Sequence, residues 1–196
     1  MTLLDVARPR RVQSRWLTLA LAVVVGVCVL TLSAKIQVPF WPVPMTLQTL
    51  AVLMLAMGYG ARLGAATVVA YLIAGAAGLP VFAGTPERGI GLAYMMGPTG
   101  GFLVGFVLAA WLAGMLAERG WDRSFLKCAA AMLVGHVIIF AAGLAWLTAL
   151  MGAAKAIDIG LLPFLAASAV KIALGAALMP LLWRAVGSDD ASAARR

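Results

Sequence analysis

Apolar stretches recur in this chain from Trp16 to Val186, and no hydrophilic segment between them is long enough to make a soluble domain. That pattern constrains the fold more than any motif. Crossing about 30 Å of hydrocarbon takes about 20 apolar residues in a helix. Charged or Pro/Gly-rich breaks divide the chain into six such candidates: roughly Trp16 to Ala34, Pro44 to Gly60, Arg62 to Gly78, Pro98 to Ala117, Phe125 to Met151 and Gly160 to Val186. Composition agrees, with 64% apolar and 11% charged residues, against about 25% charged in a soluble domain. The expected fold is all-α, a polytopic six-helix bundle in a lipid bilayer. Residues 1–15 form an N-terminal tail, 16–186 the membrane unit and 187–196 a C-terminal tail.

The distribution of charge sets the orientation. Cytoplasmic segments are enriched in Lys and Arg. With both termini inside, those segments carry Arg8, Arg10, Arg11, Arg15, Arg62, Arg119, Arg123, Lys127, Arg184, Arg195 and Arg196, while the external ones carry only Lys35, Arg88 and Lys155. The net charge of +8 therefore reports topology, and no basic stripe with interleaved aromatics points to nucleic acid. The first apolar run is too long for the core of a cleaved signal, about 7–15 residues, and is expected in the mature protein. Cys28 and Cys128 lie within or beside apolar runs and imply no disulfide framework.

Lipid gives helices no hydrophobic drive to associate, so small residues that let backbones approach do much of that work. Gly97, Gly101, Gly105, Ala109 and Ala113 recur every fourth residue along the fourth span. Ala66, Ala70, Ala74 and Gly78 do so on the third, and Thr18, Ala22 and Gly26 on the first. Contacts within one bundle explain these ridges. On the first span, Ala22 and Gly26 also admit a second reading, an outward face that docks a helix of a partner subunit.

Enzyme motifs are absent: no phosphate loop, HExxH, GxSxG or catalytic carboxylate pair occurs. The single histidine, His136, falls inside the fifth span and reads as an interhelical hydrogen bonder rather than a catalyst. All seven acids fall in connections or tails, which disfavours a self-contained ion-coupled carrier, because ion relays place carboxylates at membrane depth.

One charge has no place at either surface. Lys171 lies near the middle of the last apolar run, where a lysine costs about 2.5–3.5 kcal/mol on insertion scales. Pro163 fits the first turn of that helix, and Ser168, three residues before Lys171, shares its face. With no acid on a neighbouring span, an anionic or strongly polar ligand is the expected partner of the ammonium; snorkelling and structural hydrogen bonds are the alternatives.

Two connections are irregular. Gly78 to Gly101 holds seven glycines and three prolines. Apolar irregular backbone near a bilayer is tolerated where it is buried in protein or lines a cavity, so this segment reads as a lid over an external pocket, with Phe82, Tyr94, Met95 and Met96 as apolar walls. IQVPFWPVPMTLQ is stiffened by Pro39, Pro42 and Pro44. Phe40 and Trp41 suit the interface, and Thr46 and Gln48 enter the second span as polar groups able to meet a ligand or each other.

Together these segments resemble the BioY family, the biotin-specific S components of energy-coupling factor transporters. The resemblance rests on VPMTLQTLAVLMLA (43–56), GLPVFAG (78–84) followed by GPTGG (97–101), and LLPFLAASAVK (161–171), and spans Trp16 to Trp183. It implies a biotin site near the external side, with Lys171, Ser168, Phe164, Gln48, Thr46, Phe82, Gly84 and Tyr94 as site residues. It further implies a small-residue patch on the first helix that contacts a transmembrane coupling subunit, and two ATPase subunits. This chain needs no cofactor, and ATP is used only by those partners, in keeping with the missing phosphate loop. Where the family often has Gly-Asp in the last-span motif, this sequence has Ala167 and Ser168, which puts the acid's contact in doubt. Alternatives are an S component for another small vitamin, a solitary facilitator, or a small intramembrane enzyme built on His136 or Lys171.

Overall fold

The computed structural model describes residues 2–4, 15–38, 43 and 45–193. Most of the basic N-terminal tail, residues 39–42 with Phe40 and Trp41, and residues 194–196 lie outside the described residues. The chain is mostly helical. In order come α1 (Arg15–Lys35), β1 (Gln37–Val38), β2 (Met45–Thr46), α2 (Gln48–Tyr59), α3 (Ala61–Ala76), α4 (Gly91–Met95), α5 (Gly100–Glu118), a 3-10 turn (Trp121–Arg123), α6 (Phe125–Met151), α7 (Ala153–Gly160), a second 3-10 turn (Leu162–Phe164) and α8 (Leu165–Ala193).

Among the described residues, four segments are long and apolar enough to cross a bilayer: Trp16–Lys35, Gly100–Glu118, Phe125–Met151 and Ala153–Val186. The second and third expected spans are the shorter apolar helices α2 and α3, of 12 and 16 residues. Helix α2 starts at Gln48, later than the Pro44 expected from hydropathy, because Met45 and Thr46 pair antiparallel with Val38 and Gln37. The Thr46 hydroxyl then accepts the Gln48 N–H at 3.2 Å. One glycine, Gly60 at φ +85°, turns the chain from α2 into α3, and the Glu118 carboxylate accepts the Ala61 N–H at 2.8 Å. Helix α3 stops at Ala76, where Gly78 adopts φ +94°. The last expected span gives up its start: Gly160 closes α7, and Pro163 stiffens the 3-10 turn that feeds α8.

Helix packing follows the small residues, with two corrections. On α5, Gly105 sets its backbone against Ile139 of α6, where an added Cβ would come within 2.9 Å of the Ile139 Cα, and Ala109 and Ala113 are buried. The α3 seam is a different face from the one expected. Gly64, Val68, Tyr71 and Gly75 are buried, whereas Ala66 is exposed and Ala70 and Ala74 only half-buried. On α1, Ala22 and Gly26 face inward. Tyr59 donates to the Ala22 carbonyl at 3.0 Å, and Gly26 abuts Thr67 and Tyr59. The first reading of these residues, contact within the bundle, therefore holds, and the outward docking face of the second is not presented; Leu17, Leu21, Val24 and Val25 form the exposed side of α1.

The connections sort to two ends of the bundle. The β-pair, the segment 77–99 and α7 gather at one end. Gly60, the 119–124 connection and Thr2 gather at the other, where Thr2 lies against Gly60. At that second end Trp183 donates to the Asp122 carboxylate at 2.5 Å, and the Arg123 guanidinium lies over the Trp183 ring, 4.4 Å from its centre.

Candidate functional site

Because α2 begins late, the backbone at Met45–Thr46 is not helical and leaves the Thr46 carbonyl without an intrahelical donor. Lys171, reaching across from α8, supplies one. Its Nζ donates to the Thr46 carbonyl at 2.6 Å and to the Thr49 hydroxyl at 3.1 Å. An ammonium has three N–H donors, so with one on β2 and one on α2 a third is left over, and Lys171 borders the cavity alongside. The structural hydrogen bonds expected as an alternative for Lys171 are thus present.

That cavity lies between α2, α5, α6 and α8 beneath the β-pair end. Its polar wall is Thr46, Gln48, Thr49, Thr99, Ser168 and Lys171; its apolar wall includes Tyr94, Phe102, Phe106, Ile139, Phe140 and Phe164. The Phe140 ring stands edge-on to both Phe102 and Phe164, each at 6.4 Å. The segment 77–99 contributes Ala83, Tyr94 and Thr99, as a lid over the site should.

Gln48 is oriented from behind. Its Nε2 donates to the Tyr71 hydroxyl at 2.8 Å, and that hydroxyl donates to the Val81 carbonyl at 3.0 Å. One of the two amide N–H groups is thus committed to protein, which fixes the amide plane and leaves the oxygen as the acceptor it can offer to the cavity. The same Tyr71 ring meets Phe82 edge-on at 5.4 Å, and Phe82 stacks on Tyr94 at 4.9 Å and 16°. Phe82 occupies a notch that exists only because residue 75 is glycine. Lys35, at the end of α1, donates to the carbonyls of Phe82 (2.9 Å) and Thr85 (3.0 Å) and to the Thr85 hydroxyl (2.9 Å). Burial pushes the Tyr94 hydroxyl above its ordinary pKa, so it meets the cavity as a neutral phenol.

Six of the eight expected ligand residues therefore come together: Lys171, Ser168, Phe164, Gln48, Thr46 and Tyr94. Phe82 and Gly84 do not line the cavity. Phe82 is a buried prop behind Tyr94, and Gly84 packs near Arg88 at φ +70°. Ala83 takes the wall position between them. Residues that sequence reasoning missed include Thr49, Thr99, Phe102, Phe106 and Phe140. Thr49 carried a signal, since it lies beside Gln48 and three residues from Thr46. His136 differs from expectation as well. Its Nδ1 bonds the Met132 carbonyl of its own helix at 2.9 Å, not another helix.

A helical bundle of apolar segments around a lidded cavity, with a fixed ammonium and aromatic walls, defines a membrane protein built to hold a small polar-ended solute. Among the described residues no cluster of His, Cys, Asp and Glu could hold a metal. The BioY family profile matches residues 7–188, and the chain belongs to that family. It is 38% identical over 166 residues to the biotin transporter BioY of Rhizobium etli, covering 80% of this chain and 84% of the relative. To the biotin transporter BioY of Thermotoga maritima it is 37% identical over 148 residues, covering 75% and 85%. To the probable biotin transporter BioY of Pyrococcus horikoshii it is 37% identical over 147 residues, again covering 75% and 85%. The fold matches a crystal structure of the S-component for biotin from an ECF-type ABC transporter, with TM-score 0.74 and 21% identity over 88% of this chain and 94% of that one.

Proposed function

We propose that this chain is the biotin-capturing S component of an energy-coupling factor transporter. The observation that carries the reading is the Lys171 ammonium, hydrogen-bonded to Thr46 of β2 and Thr49 of α2 while lining the cavity. Biotin presents a carboxylate and a ureido carbonyl that such a donor can meet. Its ureido N–H groups suit the Gln48 amide oxygen and the Ser168 hydroxyl, and its thiophane ring and chain suit the aromatic wall. The relatives named as biotin transporters support the same ligand.

In this reading α2 and α3 complete six spans in the cytoplasmic membrane, with both termini inside. Arg62, Arg119, Arg123, Lys127 and Arg184 then fall at the cytoplasmic end, and Lys35, Arg88 and Lys155 at the external end. The lid faces outward. The sequence contains no phosphate loop, so uphill transport draws on ATPase subunits through a transmembrane coupling subunit. The test is mass spectrometry of small molecules retained by the purified chain, followed by calorimetric titration with biotin, riboflavin and thiamine. One biotin per chain, not displaced by the other two vitamins, is the expected result. A chain that binds no biotin, or is competed equally by riboflavin, overturns the reading.

A further inference from the structure

His136 is 2% exposed. A carbonyl only accepts, so the 2.9 Å contact to the Met132 oxygen puts the ring proton on Nδ1 and makes Nε2 an acceptor. That Nε2 is buried with no hydrogen-bond partner, which leaves an acceptor desolvated without compensation. Ser168, 7% exposed, has no hydrogen bond to another described residue. The two residues share a side pocket between α6 and α8, and Ser168 and Phe140 belong both to that pocket and to the ligand cavity. A serine hydroxyl has one proton to give and two lone pairs to offer. In a wall between an orphaned acceptor and a ligand rich in N–H groups, the proton belongs on the acceptor's side.

We propose that His136 is a positioning residue of the ligand site: on ligand binding the Ser168 hydroxyl rotates to donate to the His136 Nε2, which has no partner in this structure, and so turns the serine lone pairs into the cavity to receive an N–H of a cyclic urea. This rests on the biotin reading and adds a specificity determinant that does not itself touch the ligand. Gln48 and Ser168 then supply one acceptor each for the two ureido N–H groups, and the lysine remains free for an oxygen of the ligand.

The experiment measures affinity in lipid nanodiscs for biotin and for biotin methylated on the ureido nitrogen, using the wild type, Ser168→Ala, His136→Leu, His136→Gln and the Ser168→Ala/His136→Leu double variant. Each of Ser168→Ala and His136→Leu is expected to weaken biotin about three- to tenfold, and the double variant no further than about twofold beyond either single. His136→Gln, whose amide oxygen can replace Nε2, recovers most of the loss. Discrimination against the methylated ligand shrinks in His136→Leu. A helix-packing role would instead weaken both ligands alike and multiply with Ser168→Ala, and that outcome, or biotin binding by His136→Leu within twofold of wild type, overturns the proposal. Should His136→Leu fail to fold, His136→Gln and Ser168→Ala with the two ligands decide it by the same discrimination. Absence of biotin binding by the wild type would overturn the functional reading rather than this pairing alone.

Discussion

Replacing Lys171 with methionine keeps an unbranched apolar stem and removes the ammonium. Two consequences separate cleanly. The first is on the ligand: a charge-assisted hydrogen bond from the third N–H contributes about 1.5–3 kcal/mol, so the dissociation constant for biotin should rise roughly 10- to 150-fold. The second is on the protein. The Thr46 carbonyl and Thr49 hydroxyl lose their donor, and an unsatisfied buried group costs about 1–3 kcal/mol. Both groups border the cavity, so water replaces part of what they lose and the cost should fall at the lower end. Against these losses stands the relief of an intramembrane charge, about 2.5–3.5 kcal/mol on insertion scales. Stability without ligand should therefore change little while affinity falls steeply. Calorimetric titration in nanodiscs gives the first quantity and thermal unfolding without biotin the second. If Lys171→Met binds biotin within twofold of wild type, the ammonium serves only to tie α8 to α2, and the mechanistic reasoning fails.

Other outcomes follow from the lid and the packing. Gly75→Ala puts a methyl into the Phe82 ring; overpacking of this kind costs about 1–3 kcal/mol and should speed biotin release in stopped-flow exchange, with the helix bundle still folded by circular dichroism. Lys35→Met removes three bonds to the lid segment and should raise association and dissociation rates together, whereas unchanged rates would show that the lid needs no such tie. Gly105→Val drives a branched side chain into the Ile139 backbone and should lower the unfolding temperature or abolish folding, read by fluorescence-detected gel filtration. Burial pushes the Asp122 carboxyl above its usual range, so the folded state takes up a proton at a pH where the unfolded chain does not. The associated stability is present at low pH and lost as pH rises through the raised value. Asp122→Asn should therefore flatten the fall of unfolding temperature as pH rises above the usual carboxylate range, and an undiminished slope would assign it to other groups.

How far the sequence reveals this site depends on whether a residue's surroundings are local. Lys171 is legible because a charge in the middle of an apolar run violates a one-dimensional rule. Pro163 is legible because a proline marks the start of the helix that carries Lys171, whereas Phe164 is legible only through the family's last-span motif. Segment 78–101 is legible as a lid from its glycines and prolines, but irregular backbone has no period, so nothing in its sequence tells that Phe82 turns into the wall while its neighbour Ala83 faces the cavity. Ala22 and Gly26 show the opposite failure. Small residues four apart mark a face suited to close contact without saying whether the neighbour is α3 or another subunit. On α3 the true seam was hidden by Tyr71, a large residue in the middle of it, whose hydroxyl has its partners on α2 and the lid. The late start of α2 depends on pairing with residues on the far side of a proline-rich turn, which no window along α2 contains.

The same geometry predicts that the lid opens more readily than the bundle. Helices α5 and α6 meet along a continuous seam in which Gly101, Gly105, Ala109 and Ala113 admit close contact, and opening it would expose apolar side chains and buried helix backbone together. Among the described residues, the contacts that hold the lid include Lys35 on Phe82 and Thr85, Tyr71 on Val81, Trp146 on Gly97, and one aromatic ring in a glycine notch. Each such hydrogen bond contributes about 0.5–1.5 kcal/mol net, so local opening lies far below global unfolding. Tyr71 connects the two regimes. It accepts from Gln48 at the cavity wall and donates to the lid, so a ligand that fixes the Gln48 amide also fixes the orientation of the hydroxyl that holds Val81. A bound solute should then slow opening more than its own contacts with Ala83 and Tyr94 account for, and Tyr71→Phe, which keeps the ring against Phe82 but removes the hydroxyl, is the substitution that should erase the excess.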